Sequence, residues 1–249
     1  MIQLFRSLQQ QHLGKKRIGK YLLYAIGEIF LVVIGILIAV AINNSNEQKK
    51  LDEQLDTYRK SLVQELQQDI VNLKKSKESL LRKRKSINHY LDYYNTKSPA
   101  TNILLDRLDS VNTSKSAFYT GTYTVEDLIT TGNLSLFPKN EKEAILKLRN
   151  FQERYFTYET QTIENIALYD LELKKKTDLL YLNGYSDKQH QSVANWRNDL
   201  ESVQFLVLNN TLAESLKLYD FQDELYETLI TETITLVQLL QNNQTKKTF

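Results

Sequence analysis

The sequence predicts an all-α fold, in which an N-terminal transmembrane helix continues into an elongated antiparallel helical bundle with coiled-coil-like packing. Three observations predict it. Residues 21–42 read YLLYAIGEIFLVVIGILIAVAI and hold one residue charged at neutral pH in water, Glu28, and no proline. Seven glycines and two prolines in 249 residues leave few turn signals, which favours long helices over a turn-rich β fold. Beyond residue 50, apolar residues recur three and four apart over long stretches, the period of a helix face.

Residues 1–20 form a basic arm with Arg6, Lys15, Lys16, Arg17 and Lys20 and no acidic residue. Basic flanks stay on the cytoplasmic side of a bilayer, so the arm is expected inside and the bulk of the chain outside. Ile2, Leu4, Phe5, Leu8 and Leu13 suit a short amphipathic helix on the inner leaflet. The arm is too short for a catalytic domain. The next segment, 21–42, is the predicted span. As a helix it reaches ~33 Å, against a hydrocarbon core of ~30 Å. Ala39, Val40 and Ala41 fit a small-x-small cleavage site. The apolar run is nevertheless nearly twice a signal core and continues into a polar helix, so an uncleaved anchor is expected.

Within the span, Ala25, Glu28, Val32, Gly35, Ala39 and Ile42 are spaced 3-4-3-4-3 and share one stripe. Gly35 and Ala39 form a small-xxx-small pair of the kind that lets helix backbones approach. A carboxylate at this depth is costly and needs a partner. Two readings follow. One is a homo-oligomer contact, or a protonated Glu28 bonded to a neighbouring carbonyl. The other is pairing with a basic or protonatable group on a different membrane protein, as in an ion-conducting assembly.

Residues 20–44, KYLLYAIGEIFLVVIGILIAVAINN, resemble the N-terminal anchor of a domain-of-unknown-function family of single-pass bacterial envelope proteins. The likeness returns more loosely in residues 125–136 (VEDLITTGNLSL) and in the C-terminal helix. Family members commonly carry Trp where this chain has Ser45, so an interfacial aromatic is missing here. The resemblance implies a bacterial inner-membrane protein with a helical periplasmic part, residues 43–242, and supplies no activity.

Residues 43–95 read as one long helix. Leu51, Leu55, Tyr58, Leu62, Leu66, Ile70 and Leu73 keep 4-3-4-4-4-3 spacing, and Leu80, Ile87, Leu91 and Tyr94 continue it across interruptions at Lys77 and Arg84. The 4-4-3 step at 62-66-70-73 would relax a left-handed supercoil. Pro99 ends the helix. Residues 96–138 read as an irregular cap on the bundle end. It holds short helices at 103–108 and 125–131, the second capped by Thr124 and stopped by Gly132. Residues 139–182 form a second long helix with the stripe Leu148, Phe151, Tyr155, Tyr158, Thr162, Ile166, Tyr169, Leu173, Thr177 and Leu180. Asn183 and Gly184 stop it. A last helix, 192–242, is expected to bend or break at residues 209–211, and the tail 243–249 to fray. Three helices joined this way would run out, back and out again, placing 43–95 and 192–242 parallel.

Thirty-two basic and 30 acidic residues give a formal charge of +2. Without the arm's five cations and Glu28, 27 basic residues meet 29 acidic ones, so the alkaline balance belongs to the arm. Nothing here is a nucleic-acid footprint. Cysteine is absent, which excludes disulfides and thiol chemistry. His12, His89 and His190 stand alone, with no HExxH, Gly-rich phosphate loop or GxSxG, so no enzyme, metal or cofactor is expected. The densest basic run is Lys74, Lys75, Lys77, Arg82, Lys83, Arg84 and Lys85. It suits either an anionic ligand or register pairing with Asp220, Asp223, Glu224, Glu227 and Glu232, and the second is favoured. Tyr93, Tyr94, Tyr155, Tyr158, Tyr169, Tyr181 and Tyr185 could line a groove, although aromatic stripes at helical spacing are more often core. The expected function is therefore a non-enzymatic, membrane-anchored periplasmic bundle that binds the bilayer, a second transmembrane helix and a protein partner, in an oligomer or heteromeric complex. The alternatives are an accessory subunit of an ion-driven envelope complex that uses Glu28, and a periplasmic ligand-sensing bundle that signals through a partner.

Overall fold

The computed structural model describes residues 15–245, with side chains described for residues 21–242. The amphipathic segment expected at 2–13 and most of the tail lie outside the described residues. The described chain is helical without strands. It divides into two units, Met1–Leu55 and Asp56–Phe249. Helix α1, Lys15–Tyr94, contributes to both without a break.

The first unit is the α1 stretch up to Leu55. Every side chain from residue 21 to 50 is exposed, Leu23 by 75% and Phe30 by 65%. By length and composition this part of the helix suffices to cross a membrane.

The second unit holds the core. Five further helices complete it: α2 (Thr101–Asp109), α3 (Tyr123–Thr130), α4 (Lys139–Lys175), α5 (Leu179–Leu182) and α6 (Val203–Thr245). Short 3-10 turns lie at Asn133–Leu136, Gln191–Val193 and Trp196–Asn198. The helix expected at 139–182 thus stops at Lys175, because Asp178 caps the separate turn α5 through the Tyr181 amide. Gly184 then closes α5 with a φ of 72°. The last helix starts at Val203 rather than 192 and runs through Asn209 and Asn210 unbroken. Thr211 Oγ1 donates to the Val207 carbonyl within the helix, so its polar side chain does not compete with the ladder.

The buried stripe of α1 differs from its apolar stripe. Arg59, Leu62, Leu66, Asp69, Leu73, Leu80, Lys83, Ile87 and Tyr90 are buried. Their spacing is 3-4-3-4-7-3-4-3, a heptad rhythm whose one skipped position, Ser76, is half-buried. The 4-4-3 step expected at 62-66-70-73 is therefore absent, since Asp69 faces inward and Ile70 is only half-buried. On α4 the same substitution of polar for apolar occurs. Glu141 and Glu159 are buried, whereas Tyr158 is 51% exposed and Leu168 61% exposed.

Residues 110–122 are neither a cap nor a helix but an extended strap that descends along α1. Arg107 Nη1 donates to the His89 carbonyl and the Asn112 amide to Ser86 Oγ. Further down, Gly121 meets Asp69, Thr124 meets Glu65, and Asn133 meets Tyr58 Oη. Positions 111, 113, 115 and 117 are half-buried while 112, 114 and 116 are exposed, the period of two of an extended chain. Because the strap brings the chain back, α4 starts beside Arg59 through Glu141 and runs in the direction of α1. Helix α6 then runs against both: Tyr90 bonds Asn209, Arg84 pairs with Asp220 and Lys77 with Asp223, while Lys147 pairs with Glu232 and Glu159 meets Gln222. The expected out-back-out path, with the first and last long helices parallel, is replaced by this one. The returning leg is the strap.

The strap is half-buried, and its inward-facing polar groups find partners on the helices. Asp69, fully buried, accepts from Thr120 Oγ1 at 2.5 Å, the Gly121 amide at 2.8 Å and Thr122 Oγ1 at 2.8 Å. Glu65 accepts from the Thr124 amide and hydroxyl, so α3 receives its N-terminal cap from α1. Thr124 is itself inside that helix and is not the cap. From the opposite side, Tyr219 Oη donates to the Ser114 carbonyl and Gln222 Nε2 to the Ser116 carbonyl. At the other end of α4, Arg59 makes a bidentate pair with Glu141 at 2.8 and 2.9 Å, buried under Phe137. Breaking one side of such a pair costs ~3–5 kcal/mol, more than the ~1.5–3 kcal/mol of one buried Leu.

Asp69→Ala removes three hydrogen bonds and orphans the Gly121 amide. It should cost about 2–4 kcal/mol in urea unfolding. Amide exchange should accelerate first in residues 112–124, with the α4–α6 pair still protected. Gly121→Ala should also destabilise, because its Cβ would sit 3.3 Å from Asp69 Oδ1.

Candidate functional site

Three places carry unusual chemistry: the Glu28 stripe, the basic run of α1, and a cavity under the strap. The stripe residues Ala25, Glu28, Val32, Gly35 and Ala39 are all exposed in the first unit. Neither glycine of that stretch, Gly27 or Gly35, has a neighbour within 4 Å of a built Cβ. A stripe of this kind leaves room for close approach of a second helix.

The basic run is divided by the helix period. Lys77 pairs with Glu227 and, at 3.4 Å, with Asp223. Arg84 pairs with Asp220 at 2.9 Å. The Glu227 hydrogen bond raises the Lys77 pKa, and the same bond lowers that of Glu227. Lys83 is buried, with its ammonium 5.5 Å from the centroid of the Tyr219 ring. Burial lowers its pKa and pushes the Tyr219 phenol up to about 12. Lys74, Lys75, Arg82 and Lys85 are exposed. Glu232 meets Lys147 of α4 instead of the run, and Glu224 is exposed. The seven cations therefore do not form one surface. Half-exposed pairs like these contribute at most ~1 kcal/mol each and chiefly set register.

The cavity was not visible as a motif. It has a volume of roughly 320 Å³ and lies between the strap, α3, α4 and α6. Phe118, Tyr119 and Tyr123 come from the strap and the start of α3, and Tyr155 and Phe156 from α4. Of the seven tyrosines that spacing offered for a groove, only Tyr155 lines it. Tyr185 is 80% exposed in the loop after α5. Phe118, Tyr119, Tyr123 and Phe137 stand out in the sequence as the apolar content of a Ser/Thr-rich segment and read there as the packing of a cap; the first three line this cavity instead.

Glu159 forms the floor. It is 1% exposed. Its Oε1 accepts from Gln222 Nε2 at 2.8 Å and Tyr226 Oη at 2.9 Å, and its Oε2 from the Phe118 amide at 3.2 Å. Burial raises its pKa above the ordinary 4.5, against the opposing pull of the bonds from Gln222, Tyr226 and Phe118. Burial likewise raises the Tyr226 phenol, helped by the charge of Glu159. Above the floor, Arg149 is shared between Glu126 at 3.3 Å and Glu153 at 2.9 Å. No cluster of three metal-ligating side chains occurs among the described residues. His190 Nδ1 is used locally, against Ser192.

A carboxyl whose folded pKa is raised holds its proton more tightly in the folded chain than in the unfolded one. Its contribution to stability is fully present below the unfolded value of 4.5 and is lost as pH rises through the folded value. The stability difference between wild type and Glu159→Gln should therefore move in favour of the variant from about pH 4 to about pH 8. Urea unfolding across that range measures it, and a flat difference would show the burial effect to be absent.

The chain belongs to a family of unknown function, DUF6090, whose profile matches residues 28–186, more than half its length. The match begins at Glu28 and ends in the loop after α5, before α6. No curated protein and no solved structure matches the chain.

Proposed function

We propose that this DUF6090 chain is a non-enzymatic, single-pass protein of the bacterial inner membrane. In this reading residues 21–42 span the bilayer with the basic arm in the cytoplasm, and residues 43–242 stand in the periplasm and bind a protein partner. The observation that carries the reading is the first unit of α1. Twenty-two consecutive residues with Glu28 as their one acidic or basic residue stay exposed, while the second unit buries an ample core of its own. In water that exposure would forfeit ~25 cal/mol for each Å² of apolar surface left uncovered. Lipid covers it at no such cost, and the basic arm sets the orientation.

Lipid does not serve Glu28. A carboxylate at bilayer depth faces protein or water, and three residues that share its stripe with Val32, namely Ala25, Gly35 and Ala39, are small enough for a second helix to lie close. We therefore assign this face to a transmembrane helix of the partner or of another copy. The heptad rhythm of buried α1 positions supports coiled-coil-like packing in the periplasmic part.

Crosslinking in native membranes, with wild type and Glu28→Gln side by side, tests the assignment. A specific membrane partner should be captured by the wild type and lost, or reduced several-fold, in the variant. Retention of the partner with loss of an ion-dependent activity would instead single out an accessory subunit of an ion-driven complex. An unchanged set of partners and an unchanged phenotype would remove Glu28 from the account. Recovery of a mature chain that starts near Ile42 would remove the anchor.

A further inference from the structure

The cavity under the strap is lined by aromatic rings and by ionisable side chains. Its walls are aromatic, and two of the rings are unusually open: Tyr119 is 72% exposed and Tyr123 77% exposed. Tyr119 packs against Phe156 as a tilted pair, with ring centroids 4.9 Å apart and planes at 56°, and both rings line the cavity. Glu126 and Glu153 line the cavity beside its single cation, Arg149, above the buried floor residue Glu159. Arg149 is already held by two of these carboxylates, which leaves it poorly placed to receive an anion. The volume, roughly 320 Å³, lies at the small end of the ~300–1,000 Å³ range of ligand pockets.

Aromatic faces and surplus carboxylates both attract cations. Val125 and Leu229 complete an apolar wall, which disfavours a strongly hydrated ion such as a bare metal or a primary ammonium. An alkylated ammonium carries its charge under a methyl surface and sheds little water on entering such a site. We propose that this cavity binds a small organic cation of the alkylammonium class, with its charged nitrogen taken by the rings of Tyr119, Tyr123 and Phe156 and its alkyl part lying against Val125 and Leu229. The site is built wholly within the second unit, so it stands or falls separately from the membrane reading.

The test uses the full chain in maltoside micelles and isothermal titration calorimetry. The probes are choline and its uncharged isostere 3,3-dimethyl-1-butanol, with benzoate as an anion of aromatic shape. Choline should bind at least about tenfold more tightly than the isostere, and benzoate more weakly still. Tyr119→Ala should weaken choline by about tenfold while leaving the melting temperature unchanged, since the side chain is exposed, and Tyr119→Phe should restore it. Phe156→Ala should act in the same direction; if it unfolds the chain, Tyr119→Ala decides. Equal binding of choline and the isostere would overturn the proposal in favour of a plain apolar pocket. Preferential binding of benzoate, absence of choline binding at about 10 mM, or choline binding indifferent to Tyr119→Ala would each overturn it as well.

Discussion

One constraint shapes the second unit: an extended segment of backbone lies among three long helices. Helices satisfy their own amides and carbonyls, but residues 110–122 cannot. Each helix that touches the strap therefore gives up an apolar position to supply a partner. Asp69 comes from α1, Glu159 from α4, and Tyr219 and Gln222 from α6. These side chains are buried because the strap is there, and the strap stays because they are. A bundle with leucine at the same positions would expel it, since its polar groups would be left unpaired at a cost of several kcal/mol in total.

The same residues fix how the helices align. Asp69 must meet Gly121, and Arg59 must meet Glu141, so α1 cannot slide by a heptad against the strap or α4 without stranding a charge. Apolar seams tolerate such shifts, whereas polar contacts at single levels do not, which is the best-attested role of polar groups in helical cores. The surface pairs of Lys77 and Arg84 with α6 lie on the same alignment and add little energy of their own.

Much of the helical content was legible. Few glycines and prolines, a stop before Pro99, Gly132 with its φ of 75° and the turn at Gly184 are local chemistry, and local chemistry is written in neighbouring residues. What was not legible depends on contacts between distant parts of the chain. A search for apolar stripes picks Tyr58 and Ile70 where the core holds Arg59 and Asp69, each one residue away. That slip hides the heptad rhythm and makes Lys83 look like surface. Thr124 looks like a cap because Glu65, which does the capping, lies far away in sequence. The path of the chain followed from the assumption that only long helices traverse the bundle. An extended leg does so too, and with it the relative direction of first and last helices reverses. The cavity rings from the strap have no helical period, so spacing could not announce them.

The strap also orders assembly in time. It lies between α1 and α6, and α6 donates hydrogen bonds to it from above at Ser114 and Ser116. The Tyr219 and Gln222 bonds of α6 form only once the strap is in place. A nascent polypeptide made from its amino end delivers the parts in that sequence: the first helix, then the ribbon it holds, then α4, and last the segment that covers them. Circular permutants that open the chain before α6 and place it first would make that helix before the ribbon whose Ser114 and Ser116 carbonyls it bonds.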